Sequence, residues 1–387
     1  MSRQRPGPGL LGGTAVLLIA VLLYGGLAQR PFGPSRAAIG ADRQLLILRP
    51  EPSPTGAPIR NIWAIRADGR GLRRITNEAE EVLDFAVAPD GTRLVIVMRD
   101  GPVATALWRM KSDGTERIRL TPASDPAVYT DPAWSPAGDL LLYVRRDLVI
   151  SRAPGAPATS AIPDVGVPRL WAMTPDGTPL KRVYGQADEV GEAPVWSPDG
   201  ATVIFREVLA QEGRTNLLFT DLAAAPITVP SGIIAHTTWS PDGQWVAYDE
   251  IPPGADGRSQ IVLIRADGTG RRPLFATPNG YDTSPAWSPD GASLAFVRRS
   301  AAPPPAGAVA AVGEVWTTTR DGRIGRRLFG DTPLGAEDLS WSPGGEMLAA
   351  TRYTVVGAAA RGVWVVDADG SRARELVRDA THATWLP

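Results

Sequence analysis

The chain has 387 residues, a formal net charge of −1 and no cysteine. These exclude disulfides, thiolate chemistry, cysteine-based zinc sites and a global field directed at nucleic acid. Its 41 glycines and 37 prolines recur at regular intervals, so they mark turns in a repeat and not disorder.

Residues 1–9 carry Arg3 and Arg5, and Leu10 to Ala28 then runs 19 residues without a charge. A spanning helix needs roughly 17–25 apolar residues, and a secretory signal has an apolar core of roughly 7–15. The length predicts an N-terminal hydrophobic helix over 10–28, kept as a single-pass membrane anchor. Residues 29–40 then link it to a β domain over 41–387. Gly26-Leu27-Ala28 has the small-x-small form of a cleavage site, so a cleaved signal with a secreted or periplasmic product is the alternative. Both readings put the bulk of the chain on the extracytoplasmic side.

From Ala41 onward two phrases alternate. The first is read in PAWSPDGASLAFVRR from Pro285, with copies from Asp131, Ala193, His236 and Asp338 and a worn copy, DFAVAPDGTRLVIVMR, from Asp84. Short runs of branched and aromatic residues flank Ser-Pro-Asp-Gly, in which proline presets φ, aspartate accepts backbone amides and glycine takes positive φ. That is a β-hairpin. The second phrase, as in NIWAIRADGRGLRRIT from Asn61, places Asp-Gly between alternating apolar residues, a strong hairpin signal. A degenerate copy from Asn216 has lost its Asp-Gly. Two hairpins make a four-stranded unit of about 43–63 residues, the size of a propeller blade. The second phrase occurs seven times and the complete first phrase six. The C-terminal HATWLP opens the missing copy, and GADRQLLILRP after the linker continues it. The expectation is an all-β, seven-bladed β-propeller closed by pairing of the N- and C-terminal strands.

Eleven of the twelve tryptophans keep this register. Trp134, Trp196, Trp239, Trp287, Trp341 and Trp385 precede Ser-Pro or its equivalent, and Trp63, Trp108, Trp171, Trp316 and Trp364 sit in the third strand. Two fixed registers suit packing between blades better than a carbohydrate platform.

The WSPDG repeat resembles the TolB-type, WD40-like (PD40) propeller family over essentially everything from Ala41 onward. The resemblance implies an exported, protein-binding propeller that acts as a scaffold in envelope complexes. TolB itself carries an α/β domain ahead of a six-bladed propeller, whereas fewer than twenty residues separate the apolar segment here from the first strand. The resemblance therefore lies in the repeat and leaves a Tol-Pal role open. Prolyl-oligopeptidase-like enzymes share the repeat, but no G-x-S-x-G elbow occurs in this sequence and no hydrolase domain is expected.

In a propeller the tight turns share one face and the length-variable connections the other, which is where loops carry function. The segments leading into the innermost strands hold fourteen Asp or Glu and one Arg, with Glu78, Glu80, Glu81 and Asp84 the densest group, then Asp188, Glu189 and Glu192. Arginines crowd the fourth strands instead. An acidic channel mouth follows, and nucleic acid is not a partner. Three residues before the tryptophan slot the blades show Asp84, Asp131, Ala193, His236, Ser284, Asp338 and His382, so both histidines of the protein share one register. Equivalent positions converge on the axis. The candidate ligand-binding residues are Asp84, Asp131, His236, Asp338, His382, Glu78, Glu81 and Glu192. They surround a polar ligand or a divalent cation, or line a water-filled channel end. No catalytic residue is assigned and no other cofactor is expected.

Two functions compete. One is an envelope propeller, membrane-anchored through Leu10–Ala28, that binds a protein or peptide as a scaffold or sensor. The other is a lactonase- or lyase-like propeller enzyme with a metal or polar site at the channel mouth, which two histidines and no recognisable carboxylate pair support less well.

Overall fold

The computed structural model describes residues 43–387, apart from 54–55, 78, 126, 152–161, 185–189, 210–211, 213, 224, 276–279, 301–311, 324, 331–333 and 355–359. Among the described residues the regular structure is β throughout, and no helix is long and apolar enough to cross a membrane. The expected hydrophobic helix over 10–28 lies outside them.

The described residues form five antiparallel four-stranded sheets and one nine-stranded sheet. The nine-stranded sheet is two such units plus the short strand Ile162–Val165, and one residue pair, Thr105 opposite Ala127, joins the units. Each unit is named here by one residue on its innermost strand. The Asp84 unit begins at Val82–Val87, the Asp131 unit at Ala127–Trp134 and the Ala193 unit at Glu192–Trp196. The His236 unit begins at Ile233–Trp239, the Ser284 unit at Gly280–Trp287 and the Asp338 unit at Leu334–Trp341. In the His382 unit the C-terminal strand Thr381–Trp385 pairs with the N-terminal strand Gln44–Glu51, with Leu45 opposite Trp385 and Leu48 opposite Thr381. Tail therefore joins head within one sheet, as the split phrase predicts.

Alternation decides which neighbour each side chain meets, since successive residues of a strand face opposite sides. Leu45 and Ile47 pack on Ala349, Val363 and Val365 of the Asp338 unit, while Leu46 and Leu48 pack on Leu94 and Ile96 of the Asp84 unit. The same division repeats around the molecule. Apolar clusters join Asp84 to Asp131, Asp131 to Ala193, Ala193 to His236, His236 to Ser284 and Ser284 to Asp338. The order of contacts is a closed cycle. Each buried Leu, Ile, Val or Phe contributes on the order of 1.5–3 kcal/mol before entropy is charged against it.

Two further sets of contacts run around the same cycle. The tryptophan slot reaches back one unit: Trp134 Nε1 donates to Ala86 O at 3.2 Å, Trp196 to Ala133 O at 3.3 Å and Trp239 to Val195 O at 3.2 Å. Trp341 donates to Ala286 O at 3.1 Å and Trp385 to Ser340 O at 2.9 Å. Trp287, 7% exposed like Trp134 and Trp239, finds no acceptor for its Nε1 among the described residues. The third-strand tryptophans are half-buried and carry arginines on their faces, as with Arg145 over Trp171 at 5.7 Å and Arg352 over Trp364 at 5.2 Å. The turn between the first two strands is fixed internally, Ser240 Oγ donating to Asp242 Oδ1 and accepting from Trp245 N at 2.9 Å. Gly322, at φ 73°, shows why the second turn demands glycine, because a Cβ there would stand 2.6 Å from Leu274 O of the preceding unit.

Candidate functional site

Every innermost strand breaks register at the position shared by the two histidines or, in the Asp84 unit, one residue ahead of it. The pairing with the second strand shifts between Val82 and Asp84, Thr130 and Ala133, Glu192 and Val195, and Ile234 and Thr237. It shifts again between Thr283 and Ala286, between Glu337 and Ser340, and opposite Leu46–Leu48. Asp131, Ala193, Ser284, Asp338 and His382 have φ between 50° and 56°, in the left-handed region that non-glycine residues rarely enter. A bulge re-aims one side chain at modest cost in pairing and recurs beside functional sites. The strain falls on the register that carries both histidines.

The ring residues sense one another. His382 Nε2 lies 3.4 Å from Asp84 Oδ1, and the His382 ring packs edge-on to Phe85 with centroids 4.9 Å apart. Burial pushes the Asp84 carboxyl above the usual carboxylate range; His382 opposes this, while the Asp131 and Asp338 carboxylates add to it. Asp338 also acts on His236. Asp338 and His382 line a cleft of about 230 Å³ with Leu339, Ser340, Ala383 and Thr384. His382 and Asp84 are thus in contact, Asp131 and Asp338 act on Asp84 through their charge, and Asp338 acts on His236. Among the described residues, however, no group of three or more His, Asp or Glu is placed to hold a metal ion. What the ring shows is a pair, His382 beside Asp84.

Glu81 and Glu192 are placed differently. Glu81 Oε1 accepts from Arg60 Nε at 2.8 Å and its Oε2 from Arg99 at 3.0 Å. Glu192 is held between Arg146 at 3.2 Å and Arg206 at 3.3 Å. Asp282, fully buried, takes both a 2.8 Å and a 3.0 Å bond from Arg298. Glu337 pairs with Arg361. The acidic excess counted from the loops is therefore met by arginines toward the ends of second strands (Arg99, Arg146, Arg206 and Arg298) and at the starts of third strands (Arg60 and Arg361). The expectation of a purely acidic mouth is corrected in that respect, because antiparallel pairing brings each strand's end beside the entering loop. The second-strand arginines are visible in the repeat as VIVMR, YVRR, IFRE and FVRR. Glu78, Asp188 and Glu189 lie outside the described residues.

One site residue escapes the register altogether. Asp249, on the second strand of the His236 unit, is 3% exposed at its side chain. Its Oδ1 accepts from Ala235 N at 3.0 Å and His236 N at 2.8 Å, and its Oδ2 from Ser284 N of the next unit at 3.0 Å. The fourth bond joins Oδ2 to His236 Nδ1 at 2.6 Å. Burial pulls the His236 imidazole down, but the bond and charge of Asp249 outweigh it, so its pKa lies above the usual histidine value. Asp249 is lowered in turn: burial raises it, and His236 with the backbone donors overcomes that. The signal in the sequence is Tyr-Asp-Glu where other copies carry Tyr-Val-Arg, Phe-Val-Arg or Phe-Arg-Glu.

A larger cleft, about 660 Å³, lies among the turns of the His236 and Ser284 units, lined by Asp242, Asp290, Asp321, Arg320 and Arg323. Its aspartates are engaged in their own turns, as in the Ser288 Oγ to Asp290 Oδ1 bond of 2.6 Å.

A Protein TolB homolog from Chlorobium luteolum is 28% identical over 134 residues, 34% of this chain and 29% of that protein. The Tol-Pal system protein TolB of Anaeromyxobacter dehalogenans is 34% identical over 73 residues, 19% of this chain and 16% of that protein. The chain thus matches less than a third of the length of either relative. Among solved structures, an oligogalacturonate lyase from Vibrio parahaemolyticus superposes with a TM-score of 0.59 at 13% identity, over 87% of each chain. That likeness is one of fold. The family model of the TolB beta propeller domain (PD40) matches residues 177–387, more than half of the sequence, and the chain belongs to that family.

Proposed function

We propose that this is a seven-bladed, exported propeller, anchored in the membrane through Leu10–Ala28, that binds a protein or peptide of the cell envelope at its axial ring. The observation that carries the binding reading is the ring itself: one register, bulged in every unit, where Asp84, Asp131, Asp338, His236 and His382 act on one another. Rigid strands hold polar groups there at a cost in backbone strain. The closed cycle of apolar seams supports the blade count. The relative named as a Tol-Pal system protein supports an envelope partner. The ligand-binding set is Asp84, Asp131, His236, Asp338 and His382, with Glu81 and Glu192 bordering it through their arginines.

Affinity capture from cross-linked envelopes tests this, using the exported ring as bait beside a variant with Asp84, Asp131 and Asp338 changed to Asn. A partner held by the first and lost by the second is the expected result; equal recovery overturns the site. Intact mass of the mature protein decides between anchor and cleaved signal. The enzyme reading has one observation in its favour, an imidazole oriented by a buried carboxylate in the Asp249–His236 pair. Replacing both histidines abolishes turnover if that reading holds and leaves most protein binding if it does not.

A further inference from the structure

His236 is the one ring residue whose imidazole is fixed from behind. An ionised carboxylate only accepts hydrogen bonds, so the 2.6 Å contact with Asp249 Oδ2 requires the proton on Nδ1. Nε2 is then the atom that gains and loses a proton, on a side chain 49% exposed. The charges that face it come from three units. Asp249 lies beneath, Asp338 acts from a separate unit, and Arg206 of the preceding unit acts with opposite sign. Arg206 is itself tied down, donating to Ile234 O at 2.7 Å and Ala235 O at 2.8 Å and pairing with Glu192.

We propose that His236, positioned by Asp249, is a pH-dependent charge switch on the axial ring that weakens the hold of Asp338, Asp84 and Asp131 on a cationic ligand group when protonated and restores it when neutral. This rests on the ring being the binding site and adds what regulates it and which ligand charge it favours. Asp131 and Asp338 both act on the Asp84 carboxyl; grouped carboxylates favour a cation, and an imidazolium on which Asp338 acts opposes one. The raised pKa of His236 places the change above the ordinary histidine value of about 6.5. Only the charge on Nε2 changes, because Nδ1 stays bonded to Asp249 in both forms.

Isothermal titration of the full-length protein with the amide-capped peptide acetyl-Lys-Lys-Lys-amide, at low salt and at pH 6.0 and 9.0, is the test. One neighbouring charge at contact distance changes affinity on the order of fivefold, so that ratio is expected between pH 9.0 and 6.0. In His236→Gln, whose amide can still donate to Asp249, the ratio falls below about twofold. If that variant fails to fold, the wild type supplies a second readout. The protein has two histidines, and His382→Gln identifies the His236 resonance for titration by NMR. By linkage a cationic peptide that prefers the neutral ring lowers the His236 pKa. Equal affinity at both pH values, no binding at either, an unchanged ratio in His236→Gln or a His236 titration unmoved by peptide overturns the inference. A partner captured from envelopes would still stand in each of those cases, so the two readings fail separately.

Discussion

Trp239 and Trp287 occupy the same register and are each 7% exposed, yet one donates to Val195 O and the other to nothing. Replacing either by phenylalanine removes the same volume. Trp239→Phe also loses a bond and leaves a buried carbonyl short of a partner, while Trp287→Phe removes a buried N–H already unpaired. A buried unpaired group costs about 1–3 kcal/mol, so Trp287→Phe should be the milder change by about 1–2 kcal/mol in urea unfolding. Asp249 is the opposite case. Truncation to alanine strands three backbone amides and the imidazole together, and a loss of about 3–5 kcal/mol is expected. The pair also fixes a pH window. His236 has a raised folded pKa, so its contribution is complete below the ordinary histidine value and lost as pH rises through the folded one. Asp249 has a lowered folded pKa, so its contribution is complete above the ordinary aspartate value and lost as pH falls through the folded one. The stability difference between wild type and His236→Gln should therefore be largest near pH 5–6 and shrink above pH 8, roughly, in thermal melts.

A single strand decides whether the sheets form a cycle. Thr381–Trp385 covers one edge of Gln44–Glu51, contributes Ala383 and Trp385 to the seam with the Asp338 unit, and sends Trp385 Nε1 to Ser340 O. Deleting residues 381–387 would leave a paired strand with an open edge and an apolar seam facing water. The expected outcome is loss of cooperative unfolding and concentration-dependent association in sedimentation; a truncated chain that melts like the full one would mean closure contributes little. This strand was legible in advance because a broken repeat announces itself: HATWLP is half a phrase, and GADRQLLILRP the other half. The hairpins were legible for a local reason, since Asp-Gly and Ser-Pro-Asp-Gly specify their turns within four residues. The nine-stranded sheet was not. It depends on Thr105 meeting Ala127 across two units, a contact no local pattern encodes.

At the scale of the whole ring, sequence register shows which residues are equivalent but not how their charges are spent. Asp84, Asp131, Asp338 and the two histidines share one position in the repeat. Glu81 and Glu192 belong to the same acidic loops, yet each is taken by two arginines from strands that approach only in the folded chain. Asp249 was hidden for the same reason, being on a second strand and ordinary in composition. What separates the two groups is cost. Burial and like charge raise the Asp84 carboxyl, so its ionisation works against the fold, and stability falls as pH rises through the window between its unfolded and folded values. A fold that keeps such a group, on a bulged strand beside Asp338, forgoes stability that an amide would return. Asp84→Asn keeps an oxygen for Phe85 N, the 2.8 Å bond that fixes the side chain, and removes the repulsion with Asp131 and Asp338. Its melting temperature should equal or exceed that of the wild type at pH 8, while affinity for acetyl-Lys-Lys-Lys-amide falls severalfold. A clear drop in melting temperature would instead make Asp84 a structural partner of His382, with its charge serving the seam and not a ligand.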